Sequence, residues 1–539
     1  MMASQAKDRL TFHETDEADT PTATYVFSNQ DGSKGSLGRV DVMVGLNSIN
    51  LNPVDIRLAQ LRFLILQIML FVESMAVALW MSLRVATCPH FMDVIVNSDA
   101  PSTSSWSTKP LVATLSEIFL PSGYPQSVSD DYLPYQIFDS LQAFCSSIAG
   151  LLSSRAVLQG VGVGNASASP TSALLLHILQ DSSGRVATIL FAHRAGTALE
   201  PECKTYRLAA DVFNDIAMIL DCLSPMVPAG VMRVTILSTA GVLRALCGVA
   251  GGSSKASLSA HFSKWGNLAE LNAKDSSQET VISLLGMLVG SVVVSHITGF
   301  KTTWIALLIL LAAHLSLNYA AVRSVQMTSL NRQRANIAFS ALLSSDSASL
   351  DIQDKHTKSK SINQENWTVL TPAQVSKQER IFPRDGVLEW TTSNQPRQYL
   401  GTAEIGISLP KFFAASGPSF QTSIPMTKLH DLFVEEQYIL FLFPRGTSWH
   451  ASILLKKECA VQSQLKAWMH ALLAARVLSE ADTTSESKQF IYEAVESTLG
   501  VLNDGERVER YLSALAGKGW VLDIGALETR GGRRVVLSK

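Results

Sequence analysis

Residues 280–300 read TVISLLGMLVGSVVVSHITGF, and residues 302–322 read TTWIALLILLAAHLSLNYAAV. Neither 21-residue stretch contains Lys, Arg, Asp or Glu, and Lys301 alone separates them. A helix needs about 20 mostly apolar residues to cross the hydrocarbon core of a bilayer. Two such stretches around a turn holding Gly299 read as a helical hairpin able to span a membrane. Ser276 and Glu279 have capping-box spacing and mark its expected start. Arg323, Arg332 and Arg334 follow its end, so the positive-inside rule turns both hairpin ends toward cytoplasm, matrix or stroma. The competing reading is a buried hairpin in a large soluble bundle; the long charge-free windows favour insertion.

Working outward, residues 109–340 read as a run of helices, with candidates at 135–158, 171–179, 185–193, 206–223 and 231–250. The first is rich in small residues that let helices approach closely, among them Ala143, Ser147 and Gly150. It stops at a Gly160–Gly164 run that lacks the dinucleotide-binding pattern. A further apolar stretch, 63–83, is long enough to span, but Glu73 at its centre would be costly there.

The whole chain fits this picture. It has 539 residues, 47% hydrophobic and only 17% charged, against roughly 25% in an ordinary soluble domain. Lys and Arg total 44 against 46 Asp and Glu, which argues against a nucleic-acid partner. The six Cys are scattered without a Cys-x-x-Cys pair, which suits reduced thiols and no zinc site. The fold class expected is mainly α: an apolar multi-helix bundle with transmembrane helices, then a small α+β C-terminal domain. The divisions expected are a polar and disordered N-terminal region with an apolar insert (1–108), the helical body (109–343), a linker (344–435) and the α+β domain (436–539). In that last part, 437–443, 451–455, 520–524 and 534–537 read as strands; 462–478, 487–502 and 506–516 read as helices. No basic n-region precedes an apolar core near Met1, so no signal peptide is expected.

Candidate contact residues come from polar positions inside the apolar body. Asp211 and Asn214 share a helix face with Arg207, and Asp215 lies beside them. A solvated face is the plain reading; in a membrane these acids must line a cavity or find partners. Lys255 ends a Gly-Gly-Ser-Ser-Lys stretch, 251–255, that reads as an interhelical loop or as a phosphate cradle. His261, Lys274, Asp275 and Glu279 lie in a polar segment, 261–279, that reads as a loop at the membrane surface or a contact for substrate or partner. No catalytic constellation, metal-ligand spacing or cofactor motif is present.

The stretch PSGYPQSVSDDYLPYQIFDSLQAF, 121–144, resembles the opening of the root UVB sensitive family. Similarity continues through Gln159–Asn165, Arg207–Asp215, Ser253–Lys255, Asn272–Thr280 and Asn318-Tyr319, over roughly 115–345. The chain is most similar to the fungal members, and 436–539 resembles the family's C-terminal domain more loosely. Between about Val44 and Ser105 the resemblance lapses, which raises the hypothesis that this insert is an intron read as coding; transcripts retaining these codons would refute it.

The resemblance implies a setting in ultraviolet-B responses, vitamin B6 homeostasis or auxin transport, and no established enzymatic activity. The expectation is therefore a non-enzymatic protein of an intracellular membrane, with lipid and possible protein partners that include other family members. Its role would be scaffold or transport-related in small-metabolite homeostasis. The alternative is a soluble or peripheral binding protein for a phosphorylated small molecule such as pyridoxal phosphate, with residues 251–255 as cradle and Lys255 as Schiff base.

Overall fold

Six long helices fill the first half of the computed structural model: Tyr132–Gly160 (α1), Pro170–Ala195 (α2), Cys203–Leu223 (α3), Val231–Phe262 (α4), Leu268–His296 (α5) and Phe300–Ser324 (α6). The structure describes residues 9–16, 19–28, 39–43, 119–160, 162, 170–346, 367–392, 396–415, 426–481 and 488–538. The insert, 44–105, with its apolar stretch 63–83, lies outside these residues.

Helix α1 packs against α5, α6 and α3; α3 packs against α4, and α4 against α2. The hairpin is α5–α6. It starts at Leu268, not at Ser276, so the expected capping box lies inside the helix and Glu279 turns to Lys255 instead. The hairpin approaches α1 through two glycines four residues apart. A Cβ on Gly286 would lie 2.7 Å from Ser147 Cβ, and one on Gly290 2.8 Å from Leu151 Cδ1. Small residues at this spacing are what close helix packing in lipid requires. At the hairpin turn, Arg155 of α1 donates to the carbonyls of Val294 and Ile297 and to Thr303 Oγ1.

Among the described residues four helices, α1, α4, α5 and α6, are long and apolar enough to cross a membrane. Their outward faces carry large apolar side chains, with Leu284, Leu288, Val292, Ile305 and Ile309 each more than half exposed. The polar face of α3 instead points inward: Lys204, Arg207, Asp211, Asp215 and Asp221 are all buried. The solvated-face reading of these residues is thereby corrected.

Three other local expectations give way to helix. Residues 251–255 are an uninterrupted part of α4, which packs against α3 near Ala210: a Cβ on Gly251 would lie at an ordinary contact distance, 3.6 Å, from Ala210 Cβ. The polar segment 261–279 is mostly helix, broken between Phe262 and Leu268. The candidates 171–179 and 185–193 are one helix, α2.

The second half is built on a mixed sheet. Its strands are Arg9–Thr15 (β1), Pro21–Ser28 (β2), Arg39–Met43 (β3), Val387–Trp390 (β4), Gln398–Ile405 (β5), Tyr438–Arg445 (β6), Ser448–Lys456 (β7) and Arg534–Ser538 (β8). The order is β3-β2-β1-β8-β7-β5-β4, and β6 pairs with β7 as a hairpin. The N-terminal stretch expected to be disordered therefore supplies strands: β1 pairs antiparallel with β8, Phe12 opposite Leu537. The 344–435 stretch expected as a linker supplies β4, β5 and the short helices Pro372–Gln378 (α8), Leu409–Ala414 (α9) and Met426–Leu432 (α10). Residues 520–524 form no strand, only an isolated bridge from Val521 to Ser329.

Helices Arg332–Ser345 (α7), Val461–Glu480 (α11) and Lys488–Asn503 (α12) cover the sheet, followed by Arg507–Ala516 (α13). Helix α7 was expected to close the helical body, but Ala335, Ile337, Phe339, Leu342 and Leu343 bury themselves in the sheet domain's core. Trp468 of α11 donates its ring N–H to Asn336 Oδ1 of α7 at 2.9 Å. The helical body is tied to this core by buried Glu379, which accepts from Lys204 Nζ of α3 at 2.6 Å and from Arg334 Nη1 of α7 at 2.7 Å.

Candidate functional site

At the centre of the helical body α1, α3 and α6 each turn polar side chains inward. Arg207 Nη2 donates to Asp139 Oδ1 at 2.6 Å, its Nη1 bonds both oxygens of Asp211 at 3.2 Å, and its Nε donates to the Tyr135 hydroxyl at 3.2 Å. The next layer is His314 of α6. Its Nδ1 lies 2.7 Å from Asp215 Oδ1, and its Nε2 lies 3.7 Å from Asp211 Oδ2. Asp215 Oδ2 and both polar side-chain atoms of Asn318, one turn beyond His314, are buried without a hydrogen-bond partner among the described residues.

Three carboxylates thus share one guanidinium and one imidazole. Burying such a group is costly unless the charges balance. With His314 neutral the cluster carries a deficit of two positive charges, and with His314 protonated a deficit of one. His314 stands between the two acids, hydrogen-bonded to Asp215 and 3.7 Å from Asp211. Among the described residues no group of three His, Cys, Asp or Glu side chains is placed to hold a metal ion.

The other predicted residues fall elsewhere. Asn214 is half-buried, with Nδ2 3.4 Å from Ser146 Oγ. Lys255 Nζ is clamped by Asp275 Oδ2 at 2.7 Å and Glu279 Oε2 at 2.6 Å, and Asp275 also accepts from Gln136 at 2.7 Å. Beside Lys255 there is a cavity of only about 10 Å³. The phosphate cradle and the Lys255 Schiff base are therefore corrected: the backbone N–H groups there are spent within the helix, and the amine is engaged twice. His261 Nε2 bonds Asp131 Oδ2 at 3.0 Å, and Gln326 N donates to the same oxygen. Burial alone would raise the Asp131 carboxyl, but the hydrogen bond and charge of His261, with hydrogen bonds from Ser129 and Gln326, together outweigh this and hold it at about 2. Lys274 is half-buried one turn from Glu270 on α5.

So the structure brings Asp211 and Asp215 together, and Lys255, Asp275 and Glu279 into a separate clamp. The sequence reading placed neither Asp139, Tyr135, His314 nor Asn318 among the candidate contact residues, although Tyr135, Asp139 and Asn318 lie in the stretches that carry the family resemblance. For His314 and Asn318 a signal existed: His and Asn are rare within charge-free spans and mark function when they occur there.

The comparisons point to one family. Residues 105–346 match the model of the vitamin B6 photo-protection and homoeostasis domain. The chain carries the domain of the root UVB sensitive family. Every residue of the central cluster lies inside this domain. RUS family member 1 of Dictyostelium discoideum is 44% identical over 229 residues, 42% of this chain and 43% of that protein. Protein root UVB sensitive 3 of Arabidopsis thaliana is 28% identical over 408 residues, 74% of this chain and 83% of the relative. Protein root UVB sensitive 2, chloroplastic, of the same plant is 26% identical over 75% of this chain and 81% of the relative. The chain thus spans less than half of the Dictyostelium relative. No solved structure matches.

Proposed function

We propose that this root UVB sensitive family protein is a non-enzymatic component of an intracellular membrane with a transport-related role in vitamin B6 homeostasis. The observation that carries this reading is the inversion of the helical body: large apolar side chains outside, and Asp139, Arg207, Asp211, Asp215 and His314 buried within. A water-soluble bundle would place these the other way round, and intramembrane ionisable residues mark ion or substrate paths. The Asp211–His314–Asp215 relay is the proton-handling element, and a polar solute moves with the proton. Lipid contacts the outer faces of α4, α5 and α6. Any protein partner, including another family member, docks outside the bundle.

Alkaline carbonate extraction of the native full-length protein tests insertion: it should remain in the membrane pellet, and release would overturn the membrane reading. Uptake of labelled pyridoxine into proteoliposomes under an imposed pH gradient tests transport: it should follow the gradient and collapse with an uncoupler. Insertion without gradient-driven uptake would leave the scaffold role.

A further inference from the structure

A cavity of about 840 Å³ opens where the C-terminal end of α2 and the start of α3 meet α7 and the loops before β4 and β8. Binding sites for small ligands have this size. Five arginines line it, Arg194, Arg332, Arg380, Arg384 and Arg530, against three carboxylates, Glu202, Asp385 and Glu389. The arginines come from four separate chain segments, so local sequence composition does not account for their convergence.

Their state divides them. Arg332 is buried and fixed by its Nε bond to the Leu527 carbonyl at 2.7 Å and by an ion pair with Asp385. Asp385 also receives Arg530 Nη2 at 3.4 Å, so one two-oxygen anion is already held between two guanidinium forks. Such forks match carboxylate and phosphate oxygens. Arg194 and Arg384 are exposed and make no hydrogen bond or ion pair among the described residues. Phe191 and Tyr206 also line the cavity; they stand edge to face, ring centroids 6.2 Å apart, and supply an aromatic surface.

We propose that this cavity binds a small phosphate monoester carried on a flat ring, the phosphate on Arg194, Arg384 and Arg530 and the ring against Phe191 and Tyr206. The site stands apart from the central cluster and holds whether or not the helices cross a bilayer. Glu202, at the cavity floor, accepts from Asn331 Nδ2 at 3.1 Å. Burial raises its carboxyl to about 7, so at neutral pH it opposes an incoming anion less than an ordinary carboxylate would.

The test is calorimetric titration of the detergent-solubilised full-length protein with pyridoxine 5′-phosphate, which has no aldehyde to react with surface lysines. Pyridoxine, inorganic phosphate and phosphatidate vesicles are run beside it. The expected result is saturable 1:1 binding of pyridoxine 5′-phosphate, at least tenfold weaker for pyridoxine and for phosphate alone. Binding should weaken at least tenfold in R194Q/R384Q/R530Q, whose exposed positions leave the fold intact. Binding unchanged in that variant, or no binding by the wild-type protein, would overturn the proposal. Binding of phosphatidate vesicles without pyridoxine 5′-phosphate would overturn it in favour of a lipid headgroup. Extraction behaviour and gradient-driven uptake read the membrane proposal separately.

Discussion

His314 Nδ1 and Asp215 Oδ1 meet at 2.7 Å in the interior of the helical body, while the second oxygen of Asp215 is buried without a partner among the described residues. The pair joins α6 to α3, and Asp211 waits 3.7 Å from the other imidazole nitrogen. Asp215→Asn keeps an acceptor for the imidazole N–H but removes the charge. The protein should fold and remain in the membrane, while pH-gradient-driven uptake falls to background. His314→Gln should do the same. Uptake at the wild-type rate in both variants, read in proteoliposomes, would remove the relay from the mechanism.

The hairpin glycines give a stability prediction with an internal control. Gly286→Ala places a methyl 2.7 Å from Ser147 Cβ and 3.0 Å from the Phe144 carbonyl, and helix backbones cannot yield easily. Overpacking of this kind costs about 1–3 kcal/mol. Gly252→Ala meets nothing within 4 Å, and removing a helical glycine should gain up to about 1 kcal/mol. Thermal midpoints in detergent should therefore move in opposite directions. Equal shifts would mean that α5 does not pack on α1 through Gly286.

What the sequence made legible follows from the range of the interactions. The span-length apolar runs, the α6 boundaries and the β6–β7 hairpin are local signals, and they appear as read. The β1–β8 pairing joins residues at opposite ends of the chain, and a seven-residue alternation such as RLTFHET does not announce a partner so distant. The 251–255 stretch has loop composition, yet packing of the whole of α4 against α3 overrides the poor helix propensity of its two glycines. Arg332 and Arg334 looked like solvent-side charges after a membrane span. They are buried because Asp385 and Glu379, more than 40 residues downstream, meet them. For the same reason Asp211 and Asp215 could be picked out as polar residues in an apolar body, while their partner His314 could not be assigned to them.

Glu379 should be the weak point of the junction between the two halves. Burial would raise its carboxyl, but Lys204 first and Arg334 second outweigh burial and hold it below the ordinary glutamate value. Its contribution is therefore fully present above pH 4.5 and is lost as pH falls through the folded value. Glu379→Gln leaves two buried cations without a counter-charge, a loss of about 3–5 kcal/mol when one member of a buried pair is removed. Chemical denaturation in detergent should show that loss. A variant as stable as the wild type would mean that the junction opens to water.

The sheet domain carries its own acid sensitivity in His470. Its ring is fully buried on α11; Nε2–H donates to the Val495 carbonyl at 3.0 Å, which leaves Nδ1 to accept from the Tyr438 hydroxyl at 3.0 Å. This neutral tautomer has no room for a second proton, and burial pushes the folded value down to about 3. The unfolded chain takes up a proton near pH 6.5 and the folded chain does not, so stability is full above pH 6.5. It declines progressively as pH falls toward 3, by on the order of 4–5 kcal/mol if only this group is counted. His450 of β7 acts in the same direction, since burial lowers its value to about 4. His470→Gln retains a donor and an acceptor without a titrating ring. Unfolding followed through the buried indole of Trp468 should show a shallower stability loss between pH 6.5 and 4 in this variant. Superimposable pH profiles would mean that the imidazole titrates freely in the folded domain and that its burial is incomplete.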